Sequence, residues 1–128
     1  MNLAQALVHA FTQEGITLCC GMGGNSTRAM ADAAYSNTAM RILYTRNERS
    51  AVDAADGYAR IAGKPAATLL HLGPGLANGL ANLHNARRAA TPIVNIVGDH
   101  ATYHAQYDAP LASDIAGFAA PVSSWVHE

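Results

Sequence analysis

Glu48 is the acid most suggestively placed in this 128-residue sequence. An apolar run, Ile42 to Tyr44, leads into it and reads as a short buried strand. An alanine-rich helix follows, with Ala51, Ala54, Ala55, Tyr58, Ala59 and Ala62 able to face a core. Glu48 thus falls at a strand-to-helix junction, in the first helical turn. Ligand sites of open α/β sheets gather at such junctions, beyond the carboxyl ends of the strands. A carboxyl group there could hold or pass a proton; it could also simply complement the helix dipole. His71 is the second candidate. It ends another predicted strand, just before Gly73-Pro74-Gly75, where it could act as an acid/base group or bond to backbone. His100 and His104 lie four apart, with Asp99 and Asp108 nearby, a spacing that superficially suits a metal. The stretch from Ala101 to Pro110 reads as loop, however, and no metal site is expected.

The elements that must position these residues follow from periodicity. Asn2 can cap a helix whose apolar stripe is Leu3, Ala6, Leu7, Ala10 and Phe11, ended by Gly15. Ile16 to Cys20 reads as the first strand, and Gly21-Met22-Gly23-Gly24-Asn25-Ser26 as the turn after it. Ser26 or Asn25 would cap a second helix through Tyr35. Arg41 to Thr45 is the second strand, followed by the helix that carries Glu48, which ends at Gly63-Lys64-Pro65. Ala66 to Leu70 is the third strand, and Leu76, Leu80 and Leu83 keep helical spacing after it. Pro92 to Val97, rich in β-branched residues, is the fourth. Ser113 caps a short helix over Ile115 to Ala119, and Ser123 to His127 reads as a fifth strand. Strand–helix units in such a row predict an open parallel sheet with helices on both faces.

Neither glycine turn carries a nucleotide signature of its own. The first lacks the third glycine of G-x-G-x-x-G, and no acidic residue follows the second strand at the required distance. Gly63-Lys64 is followed by Pro65, so it is no phosphate loop.

The string R-N-E-R-x-A-x-x-A-A-D-G-Y-A-R, Arg46 to Arg60, resembles the glutamate-bearing segment of thiamine-diphosphate-dependent enzymes. More narrowly it is similar to the pyrimidine-binding domain of the acetolactate synthase and benzoylformate decarboxylase group. Gly73-Pro74-Gly75 with Asn78 resembles the G-P-G-x-x-N signature of the same family. Gly21 to Asn25 resembles its G-x-P-G-x-N loop, with Gly23 where proline is usual.

The resemblance implies that Glu48 hydrogen-bonds the aminopyrimidine of thiamine diphosphate and activates it. It places Gly73, Gly75 and Asn78 at the cofactor, and Gly24, Asn25 and His71 at the pocket for a 2-keto-acid substrate. A cofactor-contacting glutamine of acetolactate synthases is replaced here by Asp99. The implied domain is the N-terminal one over residues 1–128, lacking its last helix and strand. The central and diphosphate-binding domains, the latter holding Mg2+, are expected elsewhere, so the isolated chain is expected to be inactive. The implied activity is decarboxylation or synthesis from 2-keto acids, a lyase or transferase. The expected assembly is a homo-oligomer, or a complex with a chain bearing the diphosphate domain. A stand-alone, non-catalytic module that keeps the fold is the alternative.

Composition narrows the partners. Net charge is −1, and the eight basic residues are scattered, so nucleic acid is not an expected partner. No apolar run approaches the ~20 residues of a membrane helix. The N-terminus lacks a signal-peptide pattern, and adjacent Cys19 and Cys20 read as buried thiols of a cytoplasmic protein. Charged residues make up 13%, about half the usual share for a soluble domain, while hydrophobic residues reach 50%. Such a surface should seek a partner. The chain alone is expected to self-associate in light scattering; a dispersed monomer at micromolar concentration would contradict this.

Overall fold

Asn2 opens the first helix, α1 (Leu3–Gln13), through a capping box: its side chain accepts from the Gln5 amide, and Gln5 returns a bond to the Asn2 amide. This computed structural model describes all 128 residues. Strand β1 (Leu18–Gly21), a 3₁₀ turn (Asn25–Thr27), α2 (Arg28–Ser36), β2 (Arg41–Tyr44), α3 (Glu48–Ala62), β3 (Ala66–His71), α4 (Leu72–Arg88) and β4 (Ile93–Gly98) follow. A 3₁₀ stretch (Thr102–Tyr107), α5 (Ile115–Ala119) and a last 3₁₀ turn (Ala120–Val122) complete the order.

The four strands form one parallel sheet in the order β2-β1-β3-β4. Helices α1 and α2 cover one face, where Val8, Ala31 and Ala34 pack with Cys19, Ala67 and Leu69. Helices α3 and α4 cover the other. There Ala51 and Ala55 pack with Leu18 and Cys20, while Val52, Leu76 and Leu83 pack with Leu70. Each buried leucine of that second face contributes roughly 1.5–3 kcal/mol. The architecture is the expected open parallel sheet with helices on both faces.

Several local expectations are corrected. The core stripe of α1 is Ala4, Val8 and Phe11, while Leu3 is 86% exposed. The helix has apolar residues on more than one face, and docking against α2 and the sheet selects among them. Strand β2 is not buried: Leu43 and Tyr44 are exposed, because α3 crosses over β1 and β3 and leaves that edge bare. Ala62, at the end of α3, is exposed as well. Neither Ser26 nor Asn25 caps α2. The turn is closed by Thr27, whose hydroxyl bonds to Gly24, and Ser26 is used elsewhere. Asp114, not Ser113, caps α5 by accepting from the Gly117 amide. Part of the predicted loop after β4 winds into the 3₁₀ stretch.

Ser123 to His127 forms no strand. A β-rich peptide becomes a strand only where it pairs with an edge, and this one runs beside a cavity along β4 without pairing to it, Trp125 stacking on His127 instead.

Cys19 and Cys20 face opposite layers, as strand alternation requires, and both thiols are free. Burial pushes Cys19 up to about 12, with Cys20 adding to the rise. Burial likewise pushes Cys20 up to about 11, against the pull of Arg41. Since the thiolate is the nucleophile, neither thiol should react with a disulfide reagent at pH 8 until the chain unfolds. Two equivalents reacting rapidly in the folded state would contradict this packing.

Candidate active site

The sheet order creates a switch point. From β1 the chain moves outward to β2, and from β3 outward to β4, so the turns leaving β1 and β3 diverge and open a crevice at their carboxyl ends. His71, at the end of β3, reaches across it. Its Nδ1 lies 2.7 Å from the Ser26 hydroxyl, in the turn after β1. Two glycines make this approach possible. A Cβ on Gly24 would lie 2.7 Å from Nδ1 of His71, and one on Gly98 would collide with Ser26. The next residue, Leu72, is buried with φ 58°, in the left-handed region that bulky residues avoid. Such strain persists only where the surroundings over-determine it, and here it turns the chain sharply from β3 into α4.

Glu48 sits in a second cluster, joined to the first by that turn. Asn47 caps α3 by accepting from the Ser50 amide, leaving Glu48 as the first helical residue. Its side chain is only 4% exposed, turned inward against α4. Asn78 donates to Oε2 at 3.2 Å, and no other group donates to the carboxylate. Oε1 lies over Gly75, where a Cβ would come within 2.9 Å of it. A buried carboxylate is costly unless its oxygens are satisfied. One oxygen is anchored and the other is held ready for a donor in a space that any side chain at position 75 would fill. An acceptor so placed can take a hydrogen bond from an N–H or O–H group of a ligand.

The other expected residues are less closely gathered. Asn25 is exposed at the start of the 3₁₀ turn, where with Gly24 it lines a shallow hollow beside Arg28 and Tyr44. Gly73 is buried and faces Ser113, not Glu48. Asp99 is exposed beyond β4, and its carboxylate accepts from the His100 amide at 2.7 Å. It borders a cavity of about 980 Å³ between β4, α4 and α5, which neither Glu48 nor His71 lines. His100 and His104 stack with ring centroids 5.5 Å apart, and no three His, Cys, Asp or Glu side chains gather to hold a metal ion. His84 is exposed on α4.

Residues 1–119 match the family model described as the thiamine pyrophosphate enzyme N-terminal TPP binding domain. The chain belongs to the thiamine pyrophosphate enzyme family. IlvX of Mycobacterium tuberculosis, provisionally named as an acetolactate synthase large subunit, is 57% identical over 98% of this chain. The acetolactate synthase isozyme 1 large subunit of Escherichia coli K12 is 32% identical over 94%. The chain spans 24% and 21% of these relatives' lengths. A solved thiamine diphosphate-dependent 4-hydroxybenzoylformate decarboxylase of Rhodococcus jostii RHA1 superposes over 100% of this chain and 24% of its own, with a TM-score of 0.92. At 19% identity that likeness shows the fold alone.

Sequence reasoning missed two contacts in this thiamine pyrophosphate enzyme domain. Ser26 was expected as a helix cap, and nothing in the chain announces that it bonds a histidine 45 residues away. Asn78 belonged to a recognised signature, but its bond to Glu48 spans two helices.

Two glycine-to-alanine changes separate site from scaffold. Gly57, inside α3, has open space at its Cβ position, so Gly57→Ala should stabilise by about 0.5–1 kcal/mol through helix propensity. Gly75→Ala meets the flexible end of Glu48, so it should shift the carboxylate and stabilise less than Gly57→Ala does. Thermal unfolding of both variants checks that order; equal effects would mean that Gly75 is not shaped around Glu48.

Proposed function

We propose that this chain supplies the pyrimidine-binding side of a thiamine-diphosphate-dependent enzyme that acts on 2-keto acids, in the manner of an acetolactate synthase. The observation that carries the reading is the buried Glu48 carboxylate, with one oxygen tied to Asn78 and the other unengaged over Gly75. Family membership and the acetolactate synthase names of the relatives support it.

When bound, thiamine diphosphate supplies an electron sink for breaking or making a carbon–carbon bond beside a carbonyl. Within this chain, Glu48 would hold the aminopyrimidine, its Oε1 being the oxygen free to share a proton with it. Asn78 fixes the carboxylate plane, and Gly75 keeps space for the ring. Gly73 and Asp99, at the ends of β3 and β4, are further cofactor contacts of this reading. His71 takes the substrate side with Gly24 and Asn25. With Nδ1 against Ser26, its Nε2 remains free to hold or move a proton at the 2-keto acid.

The diphosphate and its Mg2+ are held by a second surface, on another domain or subunit, that closes over the carboxyl end of the sheet. By this reading the enzyme is a cytoplasmic oligomer of the lyase or transferase class, and the 128-residue chain alone turns over no substrate. No helix is long and apolar enough to cross a membrane.

Glu48→Gln tests the assignment. It keeps shape and burial but cannot share the proton, so turnover of a 2-keto acid by the assembled enzyme should fall at least ~100-fold. The thermal unfolding of the chain should barely change. Wild-type turnover in that variant would sink the assignment. Calorimetric titration of thiamine diphosphate with Mg2+, into the chain alone and then with its purified partner, should show tight binding only with the partner.

A further inference from the structure

Helices α3 and α4 run side by side in the same direction, and one stripe of α3 meets one stripe of α4 in ordered steps. Glu48 meets Gly75 and Asn78. One turn on, Val52 packs so closely on Gly79 that a Cβ there would lie 2.8 Å from its methyl group. Another turn on, Asp56 is 7% exposed and accepts from Asn82 across the seam at 3.3 Å and from Arg60 on its own helix at 2.9 Å.

We propose that Asp56 and Asn82 are positioning residues for Glu48: their bond holds the axial register of α3 against α4, and so the height at which the Glu48 carboxylate meets Asn78 and Gly75. The catalytic meaning rests on the cofactor reading above; the positioning itself does not.

The argument is one of degrees of freedom. Glycines at 75 and 79 allow close approach, and Val52 packs with Leu76 and Leu83 across the seam. To that apolar contact the Asp56–Asn82 bond adds a directional tie two turns from Glu48, and any axial shift that strains it displaces Glu48 by the same distance. The alternative, that Asp56 merely serves as half of an exposed ion pair, fits poorly. Arg60 is half-exposed, and a pair within one helix is worth only a few tenths of a kcal/mol, too little to justify a buried carboxylate. Burial by itself would raise the Asp56 carboxyl. Arg60, then the nearby Thr91 hydroxyl and the Asn82 amide, outweigh it and hold the group below its ordinary 3.8. It is therefore a charged acceptor at neutral pH, which strengthens its grip on the Asn82 amide.

The decisive variant is Asn82→Ala. It cuts the tie between helices, keeps Asp56 paired with Arg60 and places a good helix former in α4. In nitrogen–proton correlation spectra of the 128-residue chain, the Asn78 side-chain amide pair should move in Asn82→Ala, in the same direction as in Glu48→Gln. The exchanged pair Asp56→Asn with Asn82→Asp should return it toward its wild-type position. Loss of thermal stability in Asn82→Ala with the Asn78 signals unmoved would overturn the proposal, leaving Asp56 a structural group only. So would movement that the exchanged pair does not reverse. In the assembled enzyme, Asn82→Ala should lower kcat several-fold with the KM for the 2-keto acid unchanged. Should Glu48→Gln itself keep full turnover, the cofactor reading fails while the Asn78 signals still decide the positioning.

Discussion

The close approach of α3 to α4 is the constraint on which the rest of the site depends. Both helices leave the carboxyl end of the same parallel sheet and lie on the same face, so their first turns meet beside each other. A glutamate at the first position of one helix and a glycine in the first turn of the other then share one small space. Had position 75 carried any side chain, the Glu48 carboxylate would be pushed toward water. Had α3 lacked its Asn47 cap, the backbone that aims Glu48 inward would fray. The helix end favours a negative group, and Asn78 satisfies one of its oxygens. The second oxygen accepts no hydrogen bond within the chain.

A second constraint acts at the switch point of the sheet. The turns after β1 and β3 separate there, and a histidine and a serine from those turns meet because glycines at 24 and 98 stand aside. The strained backbone at Leu72 connects the two halves of the site, placing His71 on one side of a sharp corner and Gly75 on the other. On the proposed reading, the residues assigned to cofactor and to substrate would sit on the two sides of one rigid turn.

Away from the site the molecule is bare. Strand β2 exposes Leu43 and Tyr44, and the far edge of the sheet, β4, borders the 980 Å³ cavity together with Trp125. They are the ground on which a second surface, carrying the diphosphate contacts, would rest.

Much of this was legible from residue order. Asn2 and Gly63 act locally, through bonds and φ preferences that reach no further than one turn, so those helix ends could be read directly. The alternation of short apolar runs with helical periods determined the parallel sheet, and the R-N-E-R string determined the family. What the sequence could not decide is which of several apolar faces of α1 would be buried, that β2 would lie bare, or that Ser123 to His127 would find no edge to pair with. Nor could it decide that Ser26 would turn to His71 rather than cap a helix. These outcomes depend on which elements lie next to one another once the chain has closed. Contacts such as Glu48 with Asn78 and Asp56 with Asn82 join residues 30 and 26 positions apart. Local propensity carries no information across such a gap; only the packing of α3 on α4 supplies it.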